Sequence, residues 1–439
     1  MGKFIIQGGK PLKGSVYLSG AKNSGFKLLI ASLLADSPSE IIGYSRIGDI
    51  EVTQEIIELL GGRVEKNQKR LKAFPKNLAS FTVPVRMGEI SRASNFFVAP
   101  LLYRFGRAIF PVPGGDRIGP RPIQWHLKGL KALGAGIEEK KGLYEVRAPN
   151  GLRGGRFRFP KNTHTGTETI LMAAVFAQGK TILENAAEEP EVDDMIVFLN
   201  KMGAQIKRTA KRKIEIKGVT SFRGAKHQVM PDRNEAVTFG IAALATKGDI
   251  LVKGANPSVL QAFLEEVKKA GGNFQVSREG IRFWRKGKLD ATKVKTSPYP
   301  GFMTDWQPLW ATLMTQAEGR SEVVETIHNF RFGYAKTLGL MGAKITPFNP
   351  EVEDPEKFYN FPIKHNREKY YHGVKIDGPT ALKGAKIRVP DIRAGATLTL
   401  AALIAQGESI LSGIEHIDRG YEDLDGRLKQ LGAEIKRVR

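Results

Sequence analysis

There is no cysteine among the 439 residues, so disulfides, thiolate metal sites and a cysteine nucleophile are excluded together. Histidine is scarce, at seven, and shows no metal-ligand spacing. No apolar run approaches the ~20 residues of a membrane-spanning helix. The N-terminal MGKFIIQGGK lacks the apolar stretch of a secretory signal, so the expected location is the cytoplasm. GKT at 179 to 181 is no phosphate loop, because Ala174 stands where the upstream glycine is required. Neither a metal nor ATP nor any other cofactor is expected.

Acidic residues are also short in number: 45 against 68 basic ones, a formal charge of +23. Such an excess favours anionic ligands, from phosphorylated metabolites to nucleic acid. Its clusters, KNQKRLK (66 to 72) and RTAKRKIEIK (208 to 217), interleave charged and apolar residues as the outer faces of strands do. Without zinc-finger spacings or basic heptads, solvated strands are the preferred reading and a nucleic-acid partner is not expected.

What is abundant is repetition. A helical segment ending in glycine, then a β-like run, recurs six times: IIELLGGRV, LKALGAGIE, LNKMGAQIK, VKKAGGNFQ, LGLMGAKIT and LKQLGAEIK, with Gly61, Gly134, Gly203, Gly271, Gly342 and Gly432 as stops. Each stop suits a left-handed helix cap, where a residue without Cβ is unstrained. Upstream of each lies a helix apolar nearly all round, at 23 to 36, 92 to 106, 166 to 179, 234 to 248, 306 to 319 and 395 to 407, as expected of helices buried in a domain centre. Strands follow, as in KTILENA, DILVKGA and ESILSGI. The expectation is an α/β protein of six βαβαββ-type units, three in each of two domains. The polar, proline-containing segment 348 to 373, which lengthens the last interval, reads as a surface loop.

Chemistry is sought at the junctions, because the helices and caps are accounted for. Lys22 in LSGAKNSG opens a helix, where the macrodipole disfavours a cation, so an anion-ligand role competes with a structural one. Arg92 and Arg393 occupy corresponding junctions, and Arg331 in NFRFGY and Arg419 in HIDRGYED add two more guanidiniums suited to carboxylate or phosphate. Singly each reads as a surface ion pair; as a set they suit a small polyanion. Asp305 in PYPGFMTDWQ reads as a helix N-cap that could also face a ligand. Asp116 sits in PGGDRIGPRP, a loop of glycines bounded by Pro113 and Pro122, as a turn former or a proton carrier.

LSGAKNSG, RASNFFVAPLLYRFG, PGGDRIGPRP, PDRNEAVTF, the TD of FMTDWQ, DIRAGATL and HIDRGYE together resemble the UDP-N-acetylglucosamine enolpyruvyl transferases, and the likeness runs the length of the chain. The resemblance implies a two-domain inverse α/β barrel of three repeats per domain, 22 to 230 and 1 to 21 plus 231 to 439, with the active site in the cleft between them. It implies transfer of the enolpyruvyl group of phosphoenolpyruvate to the 3-hydroxyl of UDP-N-acetylglucosamine, with phosphate released, at the opening of peptidoglycan precursor synthesis. Carried over, Lys22 and Asn23 contact phosphoenolpyruvate, and Lys22, Arg121 and Arg419 hold its phosphate. Arg92, Arg331 and Arg393 line the site; Arg121, Pro122, Ile123, Gln124 and Trp125 lie against the uridine nucleotide. Asp305 is the base near the 3-hydroxyl and Ile327 lies beside the nucleotide sugar. Asp116 falls where most members carry a cysteine that protonates the methylene carbon, and aspartate where some do, so fosfomycin insensitivity is expected.

There are departures. Gln124 replaces an aspartate, His164-Thr165-Gly166 replaces a Ser-Val-Gly phosphate loop, and Asn329-Phe330 replaces Glu-Asn. Two other functions stay open: transfer to shikimate 3-phosphate, disfavoured by GAKN at the first junction, and a non-catalytic paralogue that binds an anionic partner.

Overall fold

The computed structural model describes residues 2–112, 114 and 122–438. Two compact units divide it, each with its own apolar core: residues 2–19 with 231–438, and residues 20–112, 114 and 122–230. The chain passes between units at 19/20 and 230/231, against an expected boundary at 21/22.

Three sheets belong to each unit, one per repeat. In a typical repeat, that of residues 156–217, strand Lys180–Glu184 lies between a parallel neighbour, Arg156–Arg158, and the second strand, Lys213–Lys217, of a hairpin begun by Gln205–Ala210. The same order recurs five times with small changes. In one sheet the parallel strand is reduced to the bridge Thr82 to Ile109. In another, the second hairpin strand is the chain's first, Lys3–Gln7, which pairs antiparallel with both Glu408–Ser412 and the last strand, Glu434–Val438. The strands just before the two passages each pair within their own unit, Lys13–Tyr17 parallel to Asp249–Lys253 and Lys226–Gln228 parallel to the strand Ser39–Ile42. Among the described residues the sheets are separate, three open ones in each unit, in keeping with the three repeats expected of each inverse barrel.

The apolar helices fall inside. Arg233–Ala245, Gln307–Met314 and Ile392–Ile404 pack on one another in one unit. In the other, Val98–Phe105 packs on His164–Ala174, and Lys22–Ala31 on the turn Arg92–Phe97. An apolar surface on every side requires such burial. The strands instead alternate: Val64, Ile206, Ile214 and Ile216 turn inward, and residues such as Arg63, Lys207 and Lys217 outward. No helix among the described residues is long and apolar enough to cross a membrane.

All six stop glycines have positive φ, from 74° at Gly271 to 109° at Gly203. At each, two backbone bonds close the helix end in the Schellman pattern, as where Gly203 N donates to Asn200 O and Ala204 N to Leu199 O. The expectation for 348 to 373 needs correction. This segment joins the two strands of a hairpin, Lys344–Phe348 and Gly373–Gly378, and carries a short helix, Pro355–Phe358. Tyr359, Phe361, Tyr370 and His372 in it are buried. Its polarity conceals an aromatic core.

Candidate functional site

In the unit of residues 2–19 and 231–438, three segments meet at Asp305. Arg331 donates to Asp305 Oδ1 at 2.8 Å and Arg393 Nε lies 3.2 Å from the same oxygen. Both arginine side chains are nearly fully buried, at 3% and 7% exposure, so their charges need this carboxylate. The helix beyond begins at Gln307 with Trp306 as its N-cap, and no side chain caps it. Asp305 therefore does not cap as its sequence position suggested; it serves the two cations. Arg393 opens the helix Ile392–Ile404, whose actual cap is Asp391, and donates to Tyr421 Oη at 3.1 Å. Tyr421 is buried, also bonds Thr238 at 2.9 Å, and has its pKa raised by that burial against the pull of Arg393.

A fourth group was not singled out in the sequence. Glu325 is fully buried at the end of the strand Ala317–Val324. Its Oε1 accepts from the amides of Ile327 at 2.7 Å and His328 at 3.0 Å, and its Oε2 from Thr304 Oγ1 at 2.9 Å, next to Asp305. Burial raises its pKa, opposed by Arg331 and by those donors. Glu325 thus ties the turn carrying Ile327 to the segment carrying Asp305. Arg419 follows the short helix Glu415–Asp418 and is half-buried.

In the unit of residues 20–112, 114 and 122–230, Lys22 is the first residue of its helix, as expected, and pairs with Asp49 Oδ2 at 3.0 Å. Asp49 lies in the first turn of the helix Gly48–Leu59, where the macrodipole favours an acid. Asn23 is half-buried beside Lys22. Arg92 opens its turn and is close enough to His126 to act on it: burial and then the Arg92 charge push His126 down to about 3, leaving a neutral ring. His126 Nε2 shares a 3.0 Å hydrogen bond with Thr165 Oγ1. Pro122 and Ile123 lead into the helix Gln124–Ala132, with Ile123 buried and Trp125 packed on the core.

His164, Thr165 and Gly166 open the helix His164–Ala174, capped by Thr163, whose hydroxyl accepts from Gly166 N at 3.2 Å. His164 Nε2 lies 3.1 Å from Glu168, which also takes Lys27 at 2.5 Å. Burial disfavours the charged ring, but the Glu168 carboxylate prevails and the His164 pKa is raised. Lys27 and Glu168 were also missed. A charged residue among the apolar ones of a buried helix is a signal that it has a partner, though not of which one. Asp116 and Arg121 lie outside the described residues.

Two solved structures share the architecture. The enolpyruvyl transferase NikO from Streptomyces tendae aligns over 100% of this chain and 99% of its own with a TM-score of 0.85 at 23% identity. EPSP synthase from Acinetobacter baumannii aligns over 100% of both chains with a TM-score of 0.73 at 19% identity. The fold is therefore that of the enolpyruvyl transferases. The profile of EPSP synthase (3-phosphoshikimate 1-carboxyvinyltransferase) matches residues 6–428, and the chain belongs to that family. Within it, the chain is 41% identical over 439 residues to UDP-N-acetylglucosamine 1-carboxyvinyltransferase 3 of Caldanaerobacter subterraneus subsp. tengcongensis. It is 39% identical over 445 residues to UDP-N-acetylglucosamine 1-carboxyvinyltransferase of Halothermothrix orenii, with each pair covered in full.

Proposed function

We propose that the protein transfers the enolpyruvyl group of phosphoenolpyruvate to the 3-hydroxyl of UDP-N-acetylglucosamine and releases phosphate, the committing step of peptidoglycan precursor synthesis. The observation that carries this reading is the full-length likeness, at 41% identity, to a relative of that name.

The chemistry needs an acid to protonate the methylene carbon of phosphoenolpyruvate and a base to take the proton of the sugar hydroxyl. It also needs cations to hold the phosphate while charge develops. Asp116 is assigned the acid and Asp305 the base. Lys22, Arg121 and Arg419 hold the phosphate, and Asn23, Arg92, Arg331 and Arg393 complete the surroundings of phosphoenolpyruvate. Pro122, Ile123, Gln124, Trp125, His164, Thr165, Gly166 and Ile327 are assigned to the nucleotide sugar. The pairing of Arg331 and Arg393 on one Asp305 oxygen supports the assignment, since it fixes the carboxylate's direction before substrate arrives. A carboxyl group at 116 is not a target for fosfomycin, which alkylates the cysteine of relatives.

The test is phosphate release from phosphoenolpyruvate with UDP-N-acetylglucosamine or shikimate 3-phosphate supplied in turn. Release with the nucleotide sugar alone is expected. Release only with shikimate 3-phosphate, or with neither acceptor, contradicts the proposal.

A further inference from the structure

Residues 349–372 are more than a long hairpin connection, because they touch the segment 325–331 at three points. Glu325 N donates to His372 O at 2.8 Å, and Asn360 N donates to Thr326 O at 2.7 Å. The ring of Tyr370, which is buried, lies 5.3 Å from that of Phe330, which is 40% exposed.

The inserted segment has the rigidity to act as a support. Tyr359 and Phe361 stack at 4.8 Å, and His372 packs on both at 4.8 and 5.3 Å. Burial pushes His372 down to about 4, so its ring is neutral and suits an aromatic cluster. Its Nε2 shares a 2.9 Å bond with Asn366, and its backbone N donates to Asn349 at 2.9 Å. At the base Phe348 pairs with Gly373, and the Phe348 ring lies over the glycine, where a Cβ would come within 2.5 Å of it.

The segment it supports carries Ile327 and Arg331, and from there the contacts run to Asp305 through Glu325 and Thr304 and through Arg331 itself. The turn has three sets of holds: the amides of Ile327 and His328 bond the turn's own Glu325 carboxylate, Thr326 N and Oγ1 donate to Thr296 Oγ1 and O at 2.8 and 2.7 Å, and the insertion takes the amide of Glu325, the carbonyl of Thr326 and the ring of Phe330. We propose that the insertion 349–372 is a brace for the segment 325–331, with Tyr370 as a positioning residue that acts through Phe330 to hold Ile327 and Arg331 in place. Its kinetic consequence rests on the function proposed above; its structural consequence does not.

The experiment follows both. Amide hydrogen exchange at 325–328 and steady-state kinetics with phosphoenolpyruvate and UDP-N-acetylglucosamine are measured for the full chain and for Tyr370→Ala, Tyr370→Phe, Phe330→Ala and the double alanine variant. The Ala variants are expected to exchange about threefold to tenfold faster at 325–328 and to raise the KM for the nucleotide sugar by a similar factor, the scale of one aromatic pair. Tyr370→Phe keeps wild-type behaviour, and the double variant is no worse than either single one. A lowered melting temperature with exchange and KM unchanged overturns the brace, as does strict additivity of the two alanine changes. Faster exchange at 325–328 without turnover in any form of the protein supports the brace and counts against the proposed reaction alone.

Discussion

Asp305 illustrates how a residue's neighbours decide its work. A carboxylate before a helix is ordinarily a cap; here two nearly buried guanidiniums from distant segments take it instead. Asp305→Ala should destabilise the protein by about 3–5 kcal/mol, because it leaves two buried cations uncompensated. Asp305→Asn keeps the shape and should lower turnover by about 10²-fold or more, as expected for loss of the general base proposed above. Urea denaturation and the phosphate assay separate the two effects. His126 and His164 make opposite predictions. The pKa of His126 is depressed in the folded state, so its contribution is complete above the unfolded value near 6.5 and is lost as pH falls toward about 3. His126→Gln should flatten the acid side of the stability profile over that interval. The folded pKa of His164 is raised, so its contribution is complete below about 6.5 and is lost as pH rises through the raised value. Glu168→Gln should lower the His164 pKa in an NMR titration.

The elements were legible in proportion to how local their causes are. Six helix stops were readable because each requires a glycine, and the apolar helices because nothing but burial suits them. At Gly203 a Cβ would meet nothing within 4 Å, so Gly203→Ala should cost only the left-handed backbone penalty, about 1–2 kcal/mol in thermal or urea unfolding. At Gly373 a Cβ would meet the half-buried Phe348 ring instead, so the cost there is set by how far that ring turns aside. Non-local causes were not legible. The pairing of Lys27 with Glu168 depends on which repeats lie side by side, and those of Glu325 with Thr304 and of Lys22 with Asp49 on how one repeat folds back on itself. The insertion 348 to 373 reads as a loop because its charged residues outnumber the four side chains that form its core.

At the scale of the whole molecule, the chain is closed by its own ends. The first strand lies between the strand 408–412 and the last one, so the N-terminus does structural work that terminal residues commonly do not. Phe4 is fully buried, and Phe4→Ala should cost about 3–5 kcal/mol in urea denaturation, as much as a Phe in a central helix. The six repeats distribute the assigned residues over both units, which is why spacing in sequence indicated candidates while their roles came from resemblance.

The proposed reaction depends on Asp116 as the proton donor in enolpyruvyl transfer. The most direct measurement is the turnover of Asp116→Asn beside the unaltered protein, with phosphoenolpyruvate and UDP-N-acetylglucosamine both saturating. A loss of about 10²-fold or more, on the scale of general-acid catalysis, is the predicted result. An asparagine variant that turns over at the rate of the unaltered protein would contradict it.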